Sequence, residues 1–201
     1  MPSGLILHDH VDSTNALKVR FLLAELGLDA ERHEVPLRGE RSPDYLAIHP
    51  FGLIPALVDG DLVITESNVA LRYLAERAGR DDLRGADAAA RARIDNLLDT
   101  LSLEVRPALW GVEEFVLYAA PIAAADQVRR RAALVVALNA YDALLDPDGP
   151  FAVGAFTIAD CALGARGKHL GVLGLPDDVA PRLRGVIAAA QARPAYAAAL
   201  T

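Results

Sequence analysis

Ser13, Thr14 and Asn15 stand where an apolar helical pattern begins, and the chemistry open to them is hydrogen bonding to an anion. A serine hydroxyl is no useful base at neutral pH, but it can donate to a thiolate and so favour the charged form. A helix N-terminus acts in the same direction. Lowering a thiol pKa by two units takes roughly 2.7 kcal/mol. The helix end contributes ~0.3–2 kcal/mol and a hydrogen bond to a charge ~1.5–3 kcal/mol. Together they suffice, and neither alone is secure. The same residues also read as a plain helix cap, with Ser13 or Thr14 satisfying a first-turn amide.

Two further places could hold a ligand. Glu66-Ser67 opens another helix, where free backbone N–H groups attract a carboxylate and the Glu66 side chain attracts an ammonium, a pairing suited to the zwitterionic end of an amino acid. An ordinary cap with a favourable first-turn acid gives the same pattern. Ile54-Pro55 precedes a strand, and a cis bond there would turn the Ile54 backbone outward to pair with a peptide ligand as an added strand. Cys161 sits inside a helical pattern and reads as a buried structural residue, and His169 has no metal-type spacing around it.

The elements that must position these residues follow from periodicity. Leu5-Ile6-Leu7 reads as a strand, and Val19, Leu22, Leu23 and Leu26 as a helix ended by Gly27. Glu31 to Val35 alternates as a second strand, and Ser42-Pro43-Asp44 opens a short helix. Ala56-Leu57-Val58 and Leu62-Val63-Ile64 flank Asp59-Gly60-Asp61 as an antiparallel hairpin, and a helix runs from about Ser67 to Gly79. The order βαβαββα predicts an α/β N-terminal domain of the thioredoxin-like kind over residues 1–79. In such a unit Ser13 to Ala16 lies where a redox cysteine pair would be, so exchange by the protein's own sulfur is excluded there and a thiol must come from a ligand. Residues 80–86 turn polar and read as a linker. From 87 to 201 strand signals do not return, which predicts an all-α C-terminal domain. Ile94, Leu97, Leu98 and Leu101 mark one of its helices, and Leu134, Leu138, Tyr141 and Leu145 another, with Pro107 and Pro121 as kinks or breaks. Thr157 and Asp160 have the spacing of a capping box.

The formal net charge of −7, with no basic run beyond Arg129-Arg130-Arg131, argues against nucleic acid or an anionic membrane as partner and leaves small molecules. Met1-Pro2-Ser3-Gly4 lacks the layout of a secretory signal and no apolar stretch reaches membrane-spanning length, so a cytoplasmic protein is expected. A single cysteine, unable to make an internal disulfide, suits a reducing compartment.

Taken together, His49-Pro50-Phe51-Gly52-Leu53-Ile54-Pro55-Ala56-Leu57, Asp59-Gly60-Asp61-Leu62, Glu66-Ser67 and Tyr73-Leu74 resemble the cytosolic glutathione transferase family. Gly149-Pro150-Phe151, Gly154, Phe156-Thr157-Ile158-Ala159-Asp160 and Arg193-Pro194-Ala195-Tyr196 resemble the helical-domain signature of the same family. The segment Asp9 to Asn15 is most similar to the serine-type phi and theta classes. The resemblance implies Ser13 as the thiolate-stabilising residue, with Asn15 ranked second. It implies Glu66 and Ser67 as holders of the γ-glutamyl end, and Ile54 before a cis Pro55 as partner of the cysteinyl backbone. Arg41, then Arg38, is implied for the glycyl carboxylate, while Leu53 departs from the polar residue found there in phi-like members. Arg106, Trp110 and Phe115 lie in the helix that lines the electrophile pocket in the family, and no role is assigned to them.

The activity so implied is detoxifying conjugation of glutathione, a co-substrate with no further cofactor or metal, to a small hydrophobic electrophile by a homodimer. A non-catalytic glutathione or hydrophobic-ligand carrier, and a glutathione-dependent reductase or dehalogenase, are the alternative readings. Phe51 is open to use as a dimer contact or as core.

Overall fold

Strand β1 (Leu5–Asp9) and helix α1 (Thr14–Leu26) open the chain in the computed structural model, which describes residues 4–201. The reading made on Met1, Pro2 and Ser3 lies outside the described residues. Helix α1 begins because Ser13, extended at φ −75° and ψ 113°, caps it, and it ends because Gly27 turns left-handed at φ 63°. β2 (Glu31–Glu34) follows, then α2 (Pro43–Ile48), capped by Ser42 with proline in its first turn. β3 (Ala56–Asp59) and β4 (Leu62–Ile64) form the hairpin, with Gly60 left-handed at φ 58° in its two-residue turn. α3 (Ser67–Arg77) completes the βαβαββα unit.

The sheet order is β2-β1-β3-β4. β1 runs parallel to β2, pairing Leu7 with Arg32, and antiparallel to β3, pairing Leu7 with Leu57. All four side chains of β2 are exposed, as suits an edge strand, so the alternation read over 31–35 is not an inside–outside pattern. Its apolar residue, Val35, lies just past the strand and packs in a small cluster with Tyr45 and Ala56.

The polar stretch after α3 contains a one-turn helix, α4 (Asp81–Arg84), too short for any periodicity to reveal. Leu83 anchors it in the core, while Arg84 reaches Glu76 and Asp95, each at 3.0 Å. α5 (Ala88–Thr100) passes through a five-residue π-helical segment, Leu101–Val105, into α6 (Arg106–Val116). Pro107 does not break the helical run, which continues from α5 through this segment into α6. The ladder widens to π spacing just before Pro107, where Arg106 N–H reaches Leu101 C=O, and proline falls in the first turn of α6, where no amide is needed. Pro121 does lie in a break, between α6 and α7 (Ala124–Asp142).

α8 (Ile158–Leu170), α9 (Pro181–Gln191) and α10 (Pro194–Ala199) finish the described chain. The capping box at the head of α8 is formed as read, with Thr157 and Asp160 bonding reciprocally across its first turn. α1 packs against α3 within the first unit and against α8 and α10 of the helical part, in one continuous apolar core. A Cβ at Gly164 of α8 would come within 3.2 Å of the Phe21 ring and 3.1 Å of Ala190, so the missing side chain lets α8 lie close to α1 and α9. Cys161 is 0% exposed in this packing, and burial pushes its thiol pKa up, as befits a structural residue. No helix among the described residues is long and apolar enough to cross a membrane.

Candidate active site

The loop before α1 is clamped from two sides. Arg20, one turn and a half into α1, bonds both carboxylate oxygens of buried Asp9, at 2.9 and 2.7 Å, and reaches Val11 C=O at 3.1 Å. Lys168 of α8 reaches Asp12 at 3.2 Å. Ser13 N–H closes the turn onto His10 C=O at 2.9 Å. Ser13 is 8% exposed, and its Oγ accepts from Ala16 N–H at 3.2 Å. The cap and the thiolate donor are thus compatible: capping uses a lone pair and leaves the hydroxyl proton to donate.

Ser13 borders a cleft of about 710 Å³ between the sheet unit and the helical part. Of the residues singled out from sequence for glutathione, the cleft brings together Ser13, Asn15, Arg38, Arg41, Leu53 and Ile54, and Thr14, Arg106, Trp110 and His169 line it as well. Pro55, Glu66 and Ser67 are not part of its lining. The Ile54-Pro55 bond is cis. Among the described residues, no backbone hydrogen bond uses the N–H or C=O of Ile54. Glu66 is exposed at the head of α3 and makes no side-chain cap, while Ser67 is buried as the first helical residue.

Arg41 is held by its own loop. Its Nε donates to Gly52 C=O at 2.7 Å and its terminal nitrogens to Gly39 and Leu37 C=O at 3.1 and 3.4 Å. Gly52, left-handed at φ 61°, is what lets the chain close over it, since a Cβ there would sit 2.9 Å from Arg41 Cγ. Arg38 instead stacks on Tyr118, 3.9 Å from the ring centroid. Leu53 is exposed on the cleft wall, and its C=O accepts from the Tyr45 hydroxyl.

Arg166 and Glu113, which the sequence pattern does not single out, make the opposite wall with Arg106 and His169. Arg166 of α8 donates to Thr14 Oγ1 at 2.7 Å and Asn15 Oδ1 at 2.9 Å, so the first two residues of α1 are held by the helical part. Burial, then Arg106, hold its pKa down at about 10, with Glu113 only partly offsetting them. Glu113 of α6 is 2% exposed and takes His169 at 3.0 Å and Arg106 at 3.5 Å. Burial alone would raise its pKa, but the His169 hydrogen bond, Arg166 and Arg106 together hold it below the usual value. Arg106 and Trp110 line the cleft, whereas Phe115 packs against the core and under Arg131. Beneath this wall Lys18 is 5% exposed and donates to Asn68 Oδ1 at 2.5 Å, while Asn68 donates to Leu98 C=O and Ser102 Oγ. Burial, with Arg166, Arg72 and Arg106 against Glu66, lowers its pKa to about 7. The sequence signal for these residues is a charge set within an apolar helical face. That flags burial without saying what is met. Among the described residues no cluster of side chains could hold a metal ion.

Residues 3–76 match the family model described as glutathione S-transferase, N-terminal domain. Glutathione S-transferase 3 of Zea mays is 36% identical over 165 residues, 74% of this chain and 70% of the relative. Glutathione S-transferase F10 of Arabidopsis thaliana is 35% identical over 148 residues, 70% and 69% of the two chains. The theta class glutathione S-transferase of the citrus canker pathogen Xanthomonas axonopodis pv. citri, solved with glutathione bound, superposes with a TM-score of 0.88 at 26% identity, covering 100% of this chain and 98% of that one. With the βαβαββα unit, the helical part behind it and a serine capping the helix that borders the cleft, these matches show that the chain belongs to the glutathione S-transferase family.

Proposed function

We propose that the protein activates the thiol of glutathione and joins it to an electrophilic carbon, giving a thioether, with no cofactor or metal. The observation that carries this reading is Ser13 at the cap of α1, on the cleft, with its hydroxyl proton uncommitted. The bound thiol gives up its proton to solvent, and Ser13 and the N-terminus of α1 stabilise the thiolate that remains. The cleft then holds sulfur and electrophile together, which removes the entropic cost of a bimolecular encounter.

In this reading the domains are 1–79 for the thiol and 87–201 for the second substrate, joined through 80–86. Ile54 offers its unbonded backbone to the cysteinyl residue, before Pro55. Glu66 and Ser67, at the head of α3, take the γ-glutamyl end. The glycyl carboxylate is met on the Arg41 side of the cleft. Arg41 still has two N–H groups beyond the three that hold its loop, Arg38 stands beside it, and Leu53 supplies apolar contact. Asn15, oriented by its bond to Arg166, is the second residue that supports the thiolate.

A homodimer working in the cytoplasm, in detoxification, completes the proposal. Phe51 is 85% exposed in its loop, which removes it from the core and leaves it free for a partner subunit. Sedimentation velocity of the wild type and of Phe51→Ser reads this directly, with a shift toward monomer expected in the variant. The reading as a whole is tested by titrating glutathione and other low-molecular-weight thiols while following Trp110 fluorescence. Saturable quenching by glutathione is expected, and failure to bind any thiol would overturn it.

A further inference from the structure

The charges around the cleft do not cancel. Each of its three carboxylates has a cation: Glu114 meets Arg130 at 2.5 Å, Asp12 meets Lys168 at 3.2 Å, and Glu113 meets Arg106 at 3.5 Å, with the His169 ring also on Glu113 at 3.0 Å. Arg166 has no carboxylate within ion-pair distance among the described residues. Its two bonds run to the neutral oxygens of Thr14 and Asn15, which orient the guanidinium and leave three of its five N–H groups. Arg106 faces the same space, and its repulsion adds to the cost of keeping Arg166 charged there. The aromatic wall is cationic too, with Arg38 over Tyr118 at 3.9 Å and Arg106 over Trp110 at 5.0 Å. A cleft of this sign, in a chain of net charge −7, concentrates anions locally.

Glutathione does not use this charge up. In the proposed pose its glycyl carboxylate is taken at the Arg41 loop and its γ-glutamyl end at Glu66 and Ser67, so neither is assigned to Arg166. We propose that the second substrate is an anionic electrophile whose carboxylate is taken by Arg166, deep in the cleft, with its body against Trp110 and Tyr118. A planar guanidinium fixed on one edge is a geometric match for a carboxylate on the other. The inference rests on the glutathione transferase reading and narrows its substrate from a hydrophobic electrophile to a carboxylate-bearing one.

The test compares 4-chloro-3-nitrobenzoate with its methyl ester, each kcat/KM divided by the uncatalysed rate with glutathione. In both, the thiol proton goes to solvent, sulfur forms a C–S bond at the ring carbon, and chloride leaves with the electrons of the C–Cl bond. The wild type is expected to favour the carboxylate by about tenfold or more, and Arg166→Gln to remove most of that preference through KM. Arg166→Lys, which keeps the charge without the fork, should retain part of it. Equal use of acid and ester by the wild type overturns the inference and leaves the transferase reading standing. So does an equal loss on both substrates in Arg166→Gln, which would assign Arg166 to the thiol instead. Turnover of neither substrate, while 1-chloro-2,4-dinitrobenzene is turned over, overturns the inference alone, and failure with all three overturns both readings. Should the variants not fold, benzoate and benzamide are compared as inhibitors of wild-type turnover of 1-chloro-2,4-dinitrobenzene. Competition by benzoate alone is expected, and equal inhibition by the two contradicts the inference.

Discussion

Arg166 on α8 and Thr14 at the start of α1, 152 residues apart, are joined by a 2.7 Å hydrogen bond. The bond makes the helical part a direct determinant of where the thiol-site helix begins. Asn15, the next residue, completes the same fork.

Asn15→Asp should therefore be an activity change more than a stability change. A carboxylate at this position would pair with Arg166 and place a negative charge where the sulfur must become negative. The bound thiol pKa is expected to rise by about one unit, with conjugation near neutral pH slowed roughly tenfold. An acid in the first turn of a helix is itself favourable, so the unfolding midpoint should not fall. The pH–rate profile beside a denaturant curve checks both. An unaltered profile would mean that position 15 does not act on the sulfur.

Lys18 should leave a signature in stability. Its folded pKa of about 7 lies below the ordinary lysine value. Between the two the unfolded chain binds more protons, and stability rises with pH. The slope is ~1.4 kcal/mol per pH unit for one proton, starting near pH 7 and ending near the ordinary value. Lys18→Met lacks the group and should lose that rise, whatever its absolute stability after Asn68 loses its donor. Urea unfolding of both proteins at pH 6 and pH 9 reads the difference, and parallel profiles would contradict it.

Asp160 should matter for the fold. Its buried carboxylate accepts from Ala152 N–H and Thr157 N–H, each at 2.8 Å, and from the Thr157 hydroxyl at 3.1 Å. Asp160→Ala leaves two buried amides without partners and is expected to cost about 3 kcal/mol. Asp160→Asn, which keeps an acceptor, should cost less. Equal midpoints in urea for wild type and alanine variant would show the cap to be incidental.

The sheet unit was readable from sequence because each of its elements is marked locally. Gly27 stops α1, Ser42-Pro43 starts α2, and Asp59-Gly60-Asp61 turns the hairpin. Ser13 and Ile54 were readable for the same reason, as residues at element ends. The charged wall was not. Arg166, Glu113 and His169 are ordinary helical positions until α6 and α8 are packed, and the face that α8 turns toward α1 depends on the absence of a side chain at Gly164. Lys18 stands out as a charge within an apolar face, yet its partner Asn68 is 50 residues away on α3. The π-helical segment before Pro107 was hidden because proline signals a disrupted ladder without specifying how the backbone accommodates it.

The central claim is that Ser13 stabilises a bound thiolate, and thiolate absorbance of enzyme-bound glutathione across pH measures it most directly. The wild type should show a thiol pKa about two units below that of free glutathione, and Ser13→Ala should return at least one of those units while slowing conjugation about tenfold. A bound thiol that titrates at the same pH in both proteins, with the same rate, would contradict the account.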